Sequence, residues 1–122
     1  MNKEINPEIL IKKLSGKYAD YYLVYEKLRN TLFLNFDGIT IIPKTIYAII
    51  DSTEGLLGVI FWKPHGLELA IKTERNDEHL HSASHLKYQP MNKMLILNKQ
   101  EDINNYLIDI LKENFQKLRE SK

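Results

Sequence analysis

The period of apolar residues changes at Gly38, and that change limits the fold more than any other feature of the chain. Before Gly38 the apolar residues recur at steps of three and four; beyond it they recur at steps of two. A helix presents one face with the first spacing and a strand with the second. Ile39-Thr40-Ile41-Ile42, Thr45-Ile46-Tyr47-Ala48-Ile49-Ile50, Leu56-Leu57-Gly58-Val59-Ile60-Phe61-Trp62 and Leu67-Glu68-Leu69-Ala70-Ile71 are short runs rich in β-branched and aromatic residues, and they read as strands. The joins Pro43-Lys44, Asp51-Ser52-Thr53-Glu54-Gly55 and Lys63-Pro64-His65-Gly66 are too short to carry a crossover helix. Successive strands must therefore fold back as antiparallel hairpins. Within the fourth run, Leu67, Leu69 and Ile71 point one way and Glu68 and Ala70 the other, which predicts a sheet packed on one face and wet on the other.

Helices flank this meander. Asn6 followed by Pro7 is a helix start, and Gly16 suits a helix end, so a short helix is expected over Asn6 to Gly16. Tyr18, Tyr21, Tyr22, Tyr25, Leu28 and Leu32 then mark an apolar stripe from Lys17 to about Leu34, stopped by Asn35, Asp37 and Gly38. After the meander, 72–92 reads as a long polar loop and Met94-Leu95-Ile96-Leu97 as a fifth strand. Asn98 with Glu101 three positions on predicts the start of a final helix whose face carries Ile103, Tyr106, Leu107, Ile110, Leu111, Phe115 and Leu118. Lys112, Lys117, Arg119 and Lys122 gather toward its C-terminus, where cations suit the helix dipole. The expected class is α+β: an antiparallel sheet of about five strands, two N-terminal helices and one long C-terminal helix.

The 122 residues suit one domain, 1–122, rather than two. With 17 Lys+Arg against 16 Asp+Glu, the net charge of +1 creates no global field to draw the protein onto nucleic acid or an anionic membrane. The absence of cysteine removes disulfides and thiolate chemistry, so any metal would need nitrogen and oxygen ligands. No apolar stretch approaches the ~18–20 residues of a membrane span, and MNKEINPEIL lacks the apolar run of a signal peptide. The expectation is a cytoplasmic protein with no membrane contact.

Leu14-Ser15-Gly16-Lys17 before the tyrosine-rich helix, Ile39-Thr40-Ile41-Ile42-Pro43-Lys44-Thr45-Ile46-Tyr47-Ala48, and the hairpin ending in Gly66-Leu67-Glu68-Leu69-Ala70-Ile71 together resemble a bacterial domain-of-unknown-function family, sometimes labelled predicted transport proteins. The resemblance continues through His85 and through Gln100-Glu101-Asp102-Ile103. It implies a domain that occurs alone or at the C-terminal end of larger proteins, some with nuclease-like or restriction-type modules, and for which no activity is established. Some relatives carry a Cys/His zinc-ribbon segment that this sequence lacks.

Asp77-Glu78-His79-Leu80-His81-Ser82-Ala83-Ser84-His85 holds three of the four histidines. Imidazoles beside carboxylates are what Zn²⁺ or Ni²⁺ sites use, so His79, His81 and His85 are the candidate metal ligands; a solvated polar loop is the alternative. Lys44 and Thr45 between two strands are candidates for holding a small anion, and His85 and Trp62 are grouped with them as candidate ligand-binding residues. A turn lysine in water is the blander reading. Phe61 and Trp62 should point to opposite faces, leaving one exposed, and an exposed Trp62 at a hairpin end would anchor a ligand or partner. Tyr18, Tyr21, Tyr22 and Tyr25 read as core rather than as a base-stacking platform, with Tyr22 at the edge of the stripe. No serine lies in a nucleophile elbow, so no catalytic residue is assigned, and no cofactor is expected.

The leading expectation is a binding or accessory module without enzymatic activity, using a sheet face and the 72–92 loop toward a protein partner or a small anionic ligand. One alternative is a small metal-assisted hydrolase or nuclease centred on His79, His81 and His85. Another is nucleic-acid binding through Lys72, Arg75, Lys87 and Lys93. Pairing of an exposed strand edge across a two-fold axis would make a homodimer.

Overall fold

The computed structural model describes residues 1–82 and 91–121, with the backbone alone at Lys17. The two-residue period produces strands where it was read. They are β2 (Thr40–Pro43), β3 (Tyr47–Ser52), β4 (Gly55–Lys63) and β5 (Gly66–Ile71), each antiparallel to the next. β7 (Lys93–Leu97) then pairs antiparallel with β5, so that Leu69 lies opposite Leu95. The class is α+β and the sheet is mostly antiparallel, as expected.

The strand count differs from expectation. Two strands of two residues each, β1 (Lys3–Glu4) and β6 (His81–Ser82), extend the edges, giving seven strands among the described residues, in the order β1-β2-β3-β4-β5-β7-β6. β1 runs parallel to β2, because the helical crossover lies between those two strands rather than within the meander. Segments of two residues carry too little pattern for any periodicity to register.

The first helix, α1 (Pro7–Lys13), ends at Leu14 rather than at Gly16. Gly16, at φ 63°, opens a 3₁₀ turn (Gly16–Tyr21) that leads into α2 (Tyr22–Asn35), so the expected second helix is split in two. Asn2 closes the far end of α2. Its amide donates to the carbonyls of Phe33 and Phe36 at 2.8 and 2.9 Å, and its carbonyl oxygen accepts from the Ile39 N–H at 2.8 Å. Helix-end carbonyls without intrahelical partners are satisfied this way, and the same residue sets the entry into β2. Gly38, at φ 84°, makes the turn between them; a Cβ there would lie 2.5 Å from the Thr53 methyl. The last helix, α3 (Asn105–Glu120), starts later than expected. Its cap is Asn104, whose side chain accepts from Leu107 N–H at 3.1 Å, while Gln100–Asp102 form a separate 3₁₀ turn.

All three helices pack on one face of the sheet. Leu10, Leu28, Leu32, Leu107 and Leu111 meet Ile41, Ile50, Ile60, Leu69 and Leu97 there, all buried. The other face is not wet along the central strands. Val59, Phe61 and Ala70 form a second buried cluster with Met91, and every residue of β5 is buried, Glu68 included. Among the described residues Glu68 keeps one side-chain partner, His65 Nε2 at 2.7 Å. The expected exposure of Glu68 and Ala70 is thus corrected: Met91, beyond β5, packs with Val59, Phe61 and Ala70 on the second face.

Candidate functional site

Phe61 and Trp62 do point to opposite faces, but both faces are covered, and their exposures are only 9% and 8%. Trp62 belongs to the main core and is not a surface anchor. Lys44 and Thr45 are exposed in the β2–β3 turn, where Lys44 N–H donates to the Tyr47 carbonyl at 2.7 Å. They stand far from the histidine segment. β3 and β6 are four strand spacings apart in the sheet, about 19 Å. His85 and Lys87 lie outside the described residues.

His79 and His81 are separated by a turn. The Asp77 side chain accepts from His79 N–H at 3.0 Å and the Asp77 carbonyl from Leu80 N–H at 3.1 Å, after which His81 enters β6 opposite Met94. Among the described residues no three His, Asp or Glu side chains gather to hold a metal ion. Of the cations proposed for nucleic acid, Arg75 is committed to Glu113, through Nε at 3.2 Å and through Nη2.

His79 instead lines a cleft of about 230 Å³ with Leu95, Ile96, Leu97, Asp102, Asn104, Tyr106 and Leu107. Successive strand residues point to opposite faces, so three consecutive residues can line one cleft only if it runs along the strand's edge. This is the outer edge of β7. Of the five residues of β7, β6 covers only Lys93 and Met94, and among the described residues no strand pairs with Leu95–Leu97 on that side. The opposite wall is the start of α3. The floor is apolar through Leu95, Leu97 and Leu107, and the rim carries the polar atoms of His79, Asp102, Asn104 and Tyr106.

A clamp holds the rim in place. Tyr106 O–H donates a short hydrogen bond to Asp77 Oδ2, the His79 ring meets the Tyr106 ring edge-on at 5.6 Å, and the Arg75 guanidinium lies over that ring at 5.2 Å. The Tyr106 hydrogen bond holds the Asp77 carboxyl below its ordinary range, with the His79 N–H adding to it. Burial, then the same Asp77 contact, pushes the Tyr106 phenol up. Tyr106 therefore stays a donor and Asp77 an acceptor at neutral pH.

The sign of the pH dependence follows. With its folded pKa depressed, Asp77 supports the clamp fully above the unfolded carboxyl value of ~3.9 and loses that support as pH falls through the folded value. With its folded pKa raised, Tyr106 contributes below the unfolded phenol value of ~10 and loses its contribution as pH rises through the folded one. In an NMR titration of the His79 amide, Asp77 is expected to titrate below the ordinary carboxyl range, and Tyr106→Phe to move it back upward. An unchanged Asp77 titration in Tyr106→Phe would show that the clamp does not exist in solution.

Of the groups in this cleft, only His79 stood out in the sequence. In the sequence Tyr106 is one more member of an apolar stripe and Arg75 a cation flanking the polar loop. Their partners lie 29 and 38 residues away, at Asp77 and Glu113 respectively, beyond any local spacing rule. No protein-family model, curated protein or solved structure matches this chain.

Proposed function

We propose that this domain is a binding module that takes an extended segment of a partner protein along the open edge of β7. One observation carries the reading: Leu95, Ile96 and Leu97 line a single cleft beside a strand edge that β6 leaves uncovered. An unpaired edge offers a row of backbone donors and acceptors, and an added strand satisfies them while its alternate side chains enter pockets. Here Leu95, Leu97 and Leu107 suit an apolar side chain of the incoming segment, and Asp102, Asn104, Tyr106 and His79 offer polar contacts at the rim. The reading keeps the expected loop as part of the site and moves the contact from the sheet's face to its edge.

The test is selection from a random heptapeptide display library, followed by affinity measurement on the selected peptides. Binding is expected to weaken at least about tenfold, or ~1.4 kcal/mol, when alternate backbone nitrogens of the peptide are methylated, because methylation removes donors the strand edge would receive. Tyr106→Ala should weaken it similarly. A methylated peptide that binds as well as the parent overturns strand addition, and a library that yields no peptide dependent on Tyr106 overturns the site.

A further inference from the structure

A second cleft, of about 540 Å³, lies between the end of α2 and the C-terminal half of α3. We propose that it binds a small planar aromatic anion, a ligand class independent of the peptide site on β7. The volume lies within the range of small-molecule sites, ~300–1,000 Å³. Its aromatic wall is Phe36 with Phe115, ring centroids 5.5 Å apart and tilted by 57°. Both rings are fixed by the fold. Phe36 caps α2 through its N–H to the Leu32 carbonyl at 3.0 Å, and Phe115 projects from the middle of α3.

The charge around this wall favours an anion. Lys112, Phe115 and Arg119 follow one another at steps of three and four, so both cations stand on the same face of α3 as the ring, roughly one helical turn to either side of it. The Arg119 guanidinium lies over Phe115 at 4.9 Å and reaches Glu54 at 3.6 Å, which holds it in place but takes up part of its charge. Among the described residues Lys112 makes no ion pair, and it lines the cleft exposed. Among the described residues Asp37 is the one acid lining the cleft, and the Met1 amino group at 2.9 Å locally offsets its charge. Gln116 and Asn35 also line the cleft; their amides donate to Glu120 Oε1 at 3.2 Å and to the Thr31 carbonyl at 2.8 Å, which leaves one N–H on each. A flat ring against the phenylalanines, carrying an acidic group toward Lys112, uses each of these groups. A carboxylate and a phosphate share this chemistry.

The experiment is an amide NMR titration of the full chain with benzoate and, separately, with phenyl phosphate; benzyl alcohol and acetate serve as controls. Saturable shifts are expected at residues 35–38 and 112–119 with one or both aromatic anions, and the stronger of the two identifies the acidic group. Lys112→Gln, an exposed substitution that leaves the core intact, should weaken that binding about tenfold, and Phe115→Leu should weaken it further. Benzyl alcohol lacks the anion and acetate lacks the ring, so neither should saturate. Binding by benzyl alcohol equal to that of benzoate, indifference to Lys112→Gln, or shifts that do not saturate in the millimolar range would each overturn the proposal.

Discussion

Ala70→Asp is expected to cost about 3–5 kcal/mol of stability, the range for a buried charge left without a partner. Against a total of ~5–15 kcal/mol for a typical domain, that is enough to unfold a marginal protein. Ala70 is fully buried in β5, opposite Val59 on β4 and Met94 on β7, in a cluster closed by Phe61 and Met91. A carboxylate there has no described cation beside it. It would also share a face with Glu68, whose described side-chain partner is His65, so the two acids would repel each other. Ala70→Leu tests the same site by volume alone and should cost less, within the ~1–3 kcal/mol usual for overpacking. Urea unfolding followed by circular dichroism measures both. If Ala70→Asp lost no more than ~0.5 kcal/mol, as exposed substitutions do, the second face of the sheet would be open to water.

Tyr25→Ala is expected to lose about 3–5 kcal/mol, as large aromatic truncations in a core do. Tyr25→Phe should lose about 1–3 kcal/mol, for a different reason. The Tyr25 ring is 1% exposed, and its hydroxyl donates a short hydrogen bond to Glu4, whose side chain also receives Arg29 Nη1 at 3.3 Å. Burial, followed by the Glu4 contact, raises the phenol well above its ordinary range, so it remains a donor at every physiological pH. Removing the hydroxyl leaves a largely buried carboxylate with Arg29 as its remaining described partner. Because Glu4 is half of β1, the loss should also loosen that strand. Faster hydrogen exchange at Ile5, whose N–H donates to Ile41 O at 2.9 Å, would report it. Wild-type stability in Tyr25→Phe would mean that the Glu4 contact does not help hold β1 in place.

The four meander strands and β7 fall within about two residues of where alternation put them, because a strand's period is local and strong. The tyrosine stripe was correctly read as core at Tyr25 and Leu28. The start of α3 was misplaced from Asn104 to Asn98, since Asn98 and Asn104 both have the chemistry of a cap and only the tertiary contacts of Ile103 and Leu107 choose between them. The candidate cleft was legible only through His79.

By itself, the sequence determined the order of the longer strands and helices, the antiparallel meander, and the faces of β5, α2 and α3 that turn to the main core. Those follow from local periods and from loops too short to allow any other connection. Tertiary structure alone decided that Ala70 and Trp62 are buried rather than wet, that Arg75, Asp77 and Tyr106 meet, and that among the described residues no strand pairs with the outer edge of β7 beyond Met94. Each depends on which distant segment comes to lie against a surface already made, as Met91 does against Val59 and Phe61. Hydrophobic periodicity records where a residue points, and only the packed chain decides what it meets there.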